Sequence, residues 1–334
     1  MQRRFGLVLS SVALLAGCVG GPTLRGPMPV RNQHPAQLTV LHLPPASASV
    51  LPAGAVAGRA DAAYSNLWLS GQNATTSWHM DGEYLRAAAS LRVGVGAGFE
   101  LGIELPVAHT TGGFLDSFVI AYHDALGLPD QDRNGTPANE FEITARTGGQ
   151  TAWSVERQDL ALLDVPIAAT WQATDPTQGL GVALRAGVEL PTGDDDRGYG
   201  NGELDAAVGI LLEQKALGLG WYGHLQHTFA GTPDQTRAVG LRFADVTSAG
   251  LAAEVPLSDG LTALVQVEWE TSTLRALDLP VVTRDQLILW VGGRMALDTG
   301  FDLELGFGED LQGLVSPDFT VWAGMAWSPR AKVP

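Results

Sequence analysis

From about residue 58 to the C-terminus apolar and polar side chains alternate, and no other feature narrows the possible folds of this chain so far. Successive side chains point to opposite faces of a strand, so a period of two gives each segment one apolar and one polar face. Leu85, Ala87, Ala89, Leu91, Val93 and Val95 share a face against Arg86, Ser90 and Arg92, and Leu101, Ile103 and Leu105 oppose Glu100 and Glu104. Leu180, Val182, Leu184, Ala186 and Val188 oppose Arg185 and Glu189, and Leu204, Ala206, Val208 and Ile210 oppose Glu203, Asp205 and Glu213. Val265, Val267 and Trp269 stand against Gln266, Glu268 and Glu270, Phe301, Leu303 and Leu305 against Asp302 and Glu304, and Arg294 lies on a polar face of the same kind.

Two bodies satisfy such a pattern: a soluble β-sandwich with its apolar faces inward, or a membrane barrel with them outward. Charges recur in mid-strand, as on a lumen wall, and the strands run to about 10–13 residues, enough to cross the hydrocarbon when tilted. Tight turns near Val95–Gly98, Asp175–Gly179, Lys215–Gly218, Ser258–Gly260 and Asp298–Gly300 alternate with long loops near 71–82, 109–139, 191–202, 231–246, 275–284 and 309–317. Short periplasmic turns and longer outer loops are the habit of outer-membrane barrels. The expectation is therefore an all-β, transmembrane, antiparallel up-and-down β-barrel over residues 58–328, with a short tail at 329–334. Its strand number is 14 if residues 140–157 form a wall hairpin turning at Gly148-Gly149, and 12 if that hairpin lies outside the wall.

The N-terminus carries Arg3 and Arg4, an apolar stretch from Phe5 to Ala16, then Gly17-Cys18. This is the layout of a secretory signal, too short to span a bilayer as a helix. The tetrad Leu15-Ala16-Gly17-Cys18 resembles a bacterial lipobox, which implies removal of residues 1–17 and lipidation of Cys18, the only cysteine. Val19 stands where an inner-membrane retention signal has Asp, so the resemblance implies a Gram-negative outer-membrane lipoprotein. Residues 18–57, rich in Pro, Ala and Gly, read as an extended periplasmic tether.

With 20 basic against 36 acidic residues no basic face can be assembled, which excludes nucleic acid as a partner. There is no Gly-x-Ser-x-Gly elbow, His-Glu-x-x-His or phosphate-binding Gly-Lys loop, so no enzyme and no cofactor are expected. His227 falls on the apolar face beside Phe229, where an outer-membrane acyl hydrolase could keep its base, but no serine lies two residues away on that strand. It reads as an interfacial histidine. Asp130, Asp132 and Asn134, with Gly135, have the spacing of calcium-loop ligands, although loop position 12 is Phe141 rather than a bidentate Glu. Phe114, Phe118, Tyr122 and Leu126 recur at helical spacing, predicting a short amphipathic helix in an outer loop, packed on the rim or acting as a gate.

The stretch Gly113-Phe-Leu-Asp-Ser-Phe-Val-Ile-Ala-Tyr-His-Asp-Ala-Leu-Gly-Leu-Pro129, followed by Asp132-Arg-Asn-Gly135, resembles domain-of-unknown-function family 3187, a group of uncharacterised bacterial barrels. Pro191-Thr-Gly-Asp-Asp-Asp-Arg-Gly-Tyr-Gly-Asn-Gly202 is similar to a stretch shared with barrels of phenol-degradation (MetA-pathway) uptake. The resemblance implies a barrel and fixes no substrate.

The expected lumen lining comprises Arg86, Arg92, Glu100, Glu104, Arg185, Glu189, Glu203, Asp205, Glu268, Glu270, Arg294, Asp302 and Glu304. With Glu142, Glu213, Glu254 and Arg146 added, twelve acids face five cations, and an open pore with that surplus would concentrate cations. The function expected is a lipid-anchored passive channel or uptake pore for small solutes, in contact with membrane lipids. The alternatives are a plugged barrel with a structural or surface-interaction role and, third, the acyl hydrolase.

Overall fold

Twelve strands of the chain pair in a ring and three more lie outside it. The computed structural model describes residues 24–115, 121, 139–297, 299–312, 316–317 and 319–328. The ring begins with β1 (Val56–Gln72), β2 (Thr76–Gly96) and β3 (Phe99–Thr111). After an excursion through β4 (Glu142–Thr147), β5 (Gln150–Val155) and β6 (Ala161–Leu162), it resumes at β7 (Val165–Thr174) and β8 (Gly181–Leu190). It continues with β9 (Asp205–Ala216), β10 (Leu219–Phe229), β11 (Val246–Ser258) and β12 (Leu261–Glu270), then β13 (Gln286–Ala296), β14 (Phe301–Asp310) and β15 (Phe319–Trp327). β15 pairs back onto β1 from Gly58↔Trp327 to Asn66↔Phe319 and closes the wall.

The wall therefore has 12 strands, not 14. The 140–157 hairpin does turn at Gly148-Gly149, but each of its strands has six residues, too few to cross the hydrocarbon. It pairs instead with the outer extension of β2, Thr76–Asp81. That extension also replaces the loop expected near 71–82, because β1 and β2 pair without interruption up to Gln72↔Ser77. Both strands overshoot the bilayer and give the hairpin an edge to dock on.

The faces decide between barrel and sandwich. Leu225, Leu251 and Leu305 are 51%, 73% and 66% exposed, whereas Glu254, Gln266 and Asp205 on the opposite faces are 0% exposed. Apolar outside and polar inside suits lipid and would be untenable for a soluble sandwich. Phe99, Trp171, Trp221 and Trp327 stand half-exposed around the short-turn end, as an interfacial aromatic girdle does.

At the loop end, side chains from the overshooting strands, the outside hairpin and the long loops form the largest apolar cluster. It includes Leu67, Trp78, Met80, Ile143, Trp153 and Leu274. Helices are few and short: α1 (Pro35–Leu38), α2 (Asp234–Ala238) and α3 (Pro280–Thr283) among the described residues.

Candidate functional site

The lumen is not empty. Residues 25–51 rise through it from the short-turn end, bend at α1 under the apolar cluster, and descend again to the start of β1. On the rising arm, the amides of Arg25 and Gly26 donate to Glu254 Oε2 at 2.9 and 3.0 Å, and that of Met28 to Gln266 Oε1 at 2.5 Å. At the bend, Asn32 Nδ2 and Gln37 Nε2 each donate to Glu270 Oε1 at 2.8 Å, and His34 stacks on Trp78 with ring centroids 5.3 Å apart. On the descending arm, Leu41 donates to Asp205 Oδ2 at 2.9 Å, Leu43 to Gln226 Oε1 at 3.0 Å and Leu51 to Glu100 Oε2 at 2.9 Å.

The Pro-rich segment is thus a plug over its described part, not a free periplasmic tether. The physical reason is donor arithmetic. A chain inside a closed barrel has no sheet partner, and each buried N–H without an acceptor is costly. Pro27, Pro29, Pro35, Pro44 and Pro45 have no N–H to satisfy, and lumen carboxylates and amides accept from the backbone of Arg25, Gly26, Met28, Leu41, Leu43, Val50 and Leu51. The wall also donates back: Thr228 Oγ1 to Leu41 O at 2.9 Å, Gln266 Nε2 to Met28 O at 3.1 Å and Arg294 Nη2 to Gly26 O at 3.0 Å. Close approach needs small residues opposite, and a Cβ at Gly292 or Gly187 would stand 2.7 Å from Met28 Sδ or Leu43 Cδ2 respectively.

Most of the expected lining residues do face the lumen. Arg86 pairs with Glu104, and Arg92 with Glu100 at 3.0 Å. Arg294 lies between Glu254 at 2.6 Å and Glu304 at 2.5 Å, and Arg59 also binds Glu304. Asp302 receives the plug's Arg25 at 3.1 Å, and Glu268 lies 3.2 Å from His224. Glu189 is buried on the same face. Glu203 is a correction: β9 starts at Asp205, and Glu203 pairs with Arg237 in the outer loops. Glu142 and Arg146 belong to the outside hairpin and leave the tally. Much of the acid surplus meets donors of the plug, namely backbone amides, the side chains of Asn32 and Gln37, and the Arg25 guanidinium, so it does not line an open pore.

The Pro191–Gly202 stretch has a local job. Asp164, buried between β6 and β7, accepts from Gly193 N at 2.8 Å and Asn201 N at 3.1 Å, and burial pushes its carboxyl up to about 6. Asn201 Nδ2 then donates to Asp205 Oδ1 at 2.9 Å, and the other oxygen of that carboxylate holds the plug at Leu41. The motif ties an outer loop to the plug through one carboxylate. Sequence pattern marked it as distinctive without indicating a partner 160 residues upstream.

His227 faces outward, edge-on to Phe229 at 4.9 Å, as expected. Its Nδ1 lies 2.9 Å from Thr247 Oγ1 and its Nε2 3.9 Å from Asp245. Cys18, Asp130, Asp132 and Asn134 lie outside the described residues, as do 116–120 and 122–126 of the expected helix.

A cavity of about 150 Å³ lies beside the plug, between its two arms and the wall strands β1, β2, β3, β7 and β8. It reaches Ile103 and Pro166 at the β3–β7 seam, where the register runs only from Phe99↔Trp171 to Ile103↔Ile167. Pro106 and Pro166 each withhold a donor there, and β3 next pairs at Val107 with β6.

Among solved structures, the fold is similar to that of the COG4313 outer membrane channel from Pseudomonas putida F1. The TM-score is 0.56 at 10% identity, covering 86% of this chain and 100% of that one. The KdgM porin gives a TM-score of 0.43 at 9% identity, covering 83% and 99%, and the CymD monoaromatic hydrocarbon channel 0.37 at 9%, covering 84% and 89%. No curated protein sequence matches the chain. The model of the family described as protein of unknown function (DUF3187) matches residues 7–328.

Proposed function

The chain belongs to the DUF3187 family, whose barrel fold it shares with outer-membrane channels, and we propose that it is a lipid-anchored outer-membrane channel for small solutes whose resting state is closed by its own N-terminal segment. The observation that carries this reading is how the plug is held. It forms no ladder with the wall among the described residues, so it can shift or leave without breaking the ring that closes at β1–β15. Its polar attachments are hydrogen bonds and ion pairs to wall side chains, each individually modest, and they are joined by apolar contacts of Met28, Val30, Leu38, Leu41 and Leu43.

The lipid anchor at Cys18 fits the plug's course. Arg25 sits at the short-turn end, its guanidinium donating to Ser328 Oγ at 3.2 Å. The seven Cα–Cα steps from Cys18 to Arg25 reach at most about 25 Å, enough to place an acyl chain in the inner leaflet at that end. Transport of a solute calls for no catalytic group, and the hydroxyl nearest His227 is that of a threonine on the neighbouring strand.

Planar-bilayer recordings test the reading. Wild-type protein should show little steady conductance, and a variant lacking residues 25–50 should conduct steadily. A folded deletion variant that stays silent would shift the assignment to a permanently closed structural barrel, which the apolar cluster over the loop end favours. A wild-type protein as conductive as the deletion would remove the plug from the mechanism.

A further inference from the structure

We propose that the cavity beside the plug is a binding site for a small organic anion, a one-ring or short-chain carboxylate, held through Arg185. The proposal rests on the channel reading in one respect only: the bound anion is taken to be the solute. Binding itself requires no conduction.

The charges around the cavity set the sign of the ligand. Arg25, Arg59, Arg92 and Arg185 line it against Asp61 and Glu104. Three of these arginines are already matched, Arg25 by Asp302 at 3.1 Å, Arg92 by Glu100 at 3.0 Å and Arg59 by Glu304, while Glu104 is taken by Arg86. Arg185 differs. Its Nη1 donates to Pro44 O at 2.6 Å, its buried Nε has no hydrogen-bond partner, and among the described residues it makes no ion pair. A guanidinium offers five N–H donors in a planar fork that matches a carboxylate bidentately. Partly burying that cation without a counter-ion is unfavourable, so an arriving anion gains more there than at an exposed arginine.

The remaining lining sets the ligand's body. Leu43, Pro27, Pro29, Pro44, Ala46 and Ala168 form a rigid apolar wall. The cavity's volume of about 150 Å³ matches that of an apolar protein cavity that binds benzene. An inorganic anion would satisfy Arg185 and waste this surface, and a neutral ring would do the reverse.

Equilibrium dialysis of labelled benzoate against the full-length protein in detergent micelles tests this directly. Saturable binding near one site per chain is expected, weakened at least tenfold by Arg185→Gln and less by Arg185→Lys, with benzyl alcohol at least tenfold weaker. Equal concentrations of sulfate should not displace the benzoate. Absent saturable binding, an affinity unchanged in Arg185→Gln, or equal affinity for benzyl alcohol would overturn the site, and displacement by sulfate would overturn the organic class. If the Arg185 variants fail to fold, phenylglyoxal modification of wild-type Arg185, mapped by mass spectrometry, replaces them. Benzoate should slow that modification and benzyl alcohol should not, and lack of protection refutes the proposal. Conductance recorded without benzoate reports separately on the channel, so either reading can fail alone.

Discussion

Asp205 is the residue at which plug, wall and outer loop meet, and Asp205→Asn is the sharpest perturbation of the plug. One carboxylate oxygen accepts the Leu41 amide at 2.9 Å; the other accepts Asn201 Nδ2 at 2.9 Å and Gly231 N at 2.6 Å. An asparagine keeps only one acceptor. Whichever way it turns, its NH2 faces at least one of these donors, and a buried hydrogen bond to a charged group is exchanged for a donor–donor clash. Hydrogen bonds to charged groups contribute about 1.5–3 kcal/mol. Each 1.4 kcal/mol shifts an equilibrium about tenfold, so the fraction of molecules with the descending arm released should rise about 10- to 100-fold. Hydrogen–deuterium exchange with mass spectrometric readout measures this: a peptide over residues 38–45 should exchange faster by that factor, while one over β13 stays as in the wild type. Equal acceleration in both would mean that Asp205 stabilises the whole barrel, and no acceleration would mean that the plug is held elsewhere.

Three further outcomes are expected. Leu184 faces outward, 47% exposed, on β8, and Leu184→Arg should cost about 2–4 kcal/mol if it lies near the bilayer midplane, read as a lower urea midpoint for unfolding in lipid vesicles; an unchanged midpoint would put that face out of the hydrocarbon. Mass spectrometry of membrane-extracted protein should show loss of residues 1–17 and added acyl mass at Cys18, with Cys18→Ser carrying none; an unmodified wild-type cysteine removes the anchor. Burial raises the Asp164 carboxyl from 3.8 to about 6, so the folded loop retains a proton that the unfolded loop has released, and a stabilisation of ~3 kcal/mol present below pH ~4 is lost as pH rises to ~6. Amides of residues 191–204, corrected for intrinsic pH dependence, should be better protected at pH 4.5 than at pH 7, a difference that Asp164→Asn abolishes; a wild-type loop indifferent to pH would refute the burial argument.

The alternation made the wall legible because it is a local property. Whether Leu184 and Arg185 point apart depends on backbone geometry alone, and the exposed Leu225 against the buried Glu254 shows the inference carried through to the folded barrel. Strand number was less legible. The 140–157 hairpin alternates as a wall strand would, and only its short length and the available edge of the overshooting β2 put it outside. Glu203 was misplaced for a related reason, since a period of two does not mark the residue at which pairing starts.

What the sequence by itself determined is the two-faced strand, the turns and loops other than that near 71–82, and a surplus of acid on the inner face, all of which follow from neighbours along the chain. What fills the lumen was decided by tertiary structure. Residues 25–51 carry no periodicity, and their prolines describe an extended chain equally well in solvent or in a barrel. Only the closed wall presents Glu254, Gln266, Asp205 and Glu100 from four separate strands as acceptors for one backbone. The acid surplus was in fact the plug's signature, but a list of charges gives their number and not the direction from which their partners arrive.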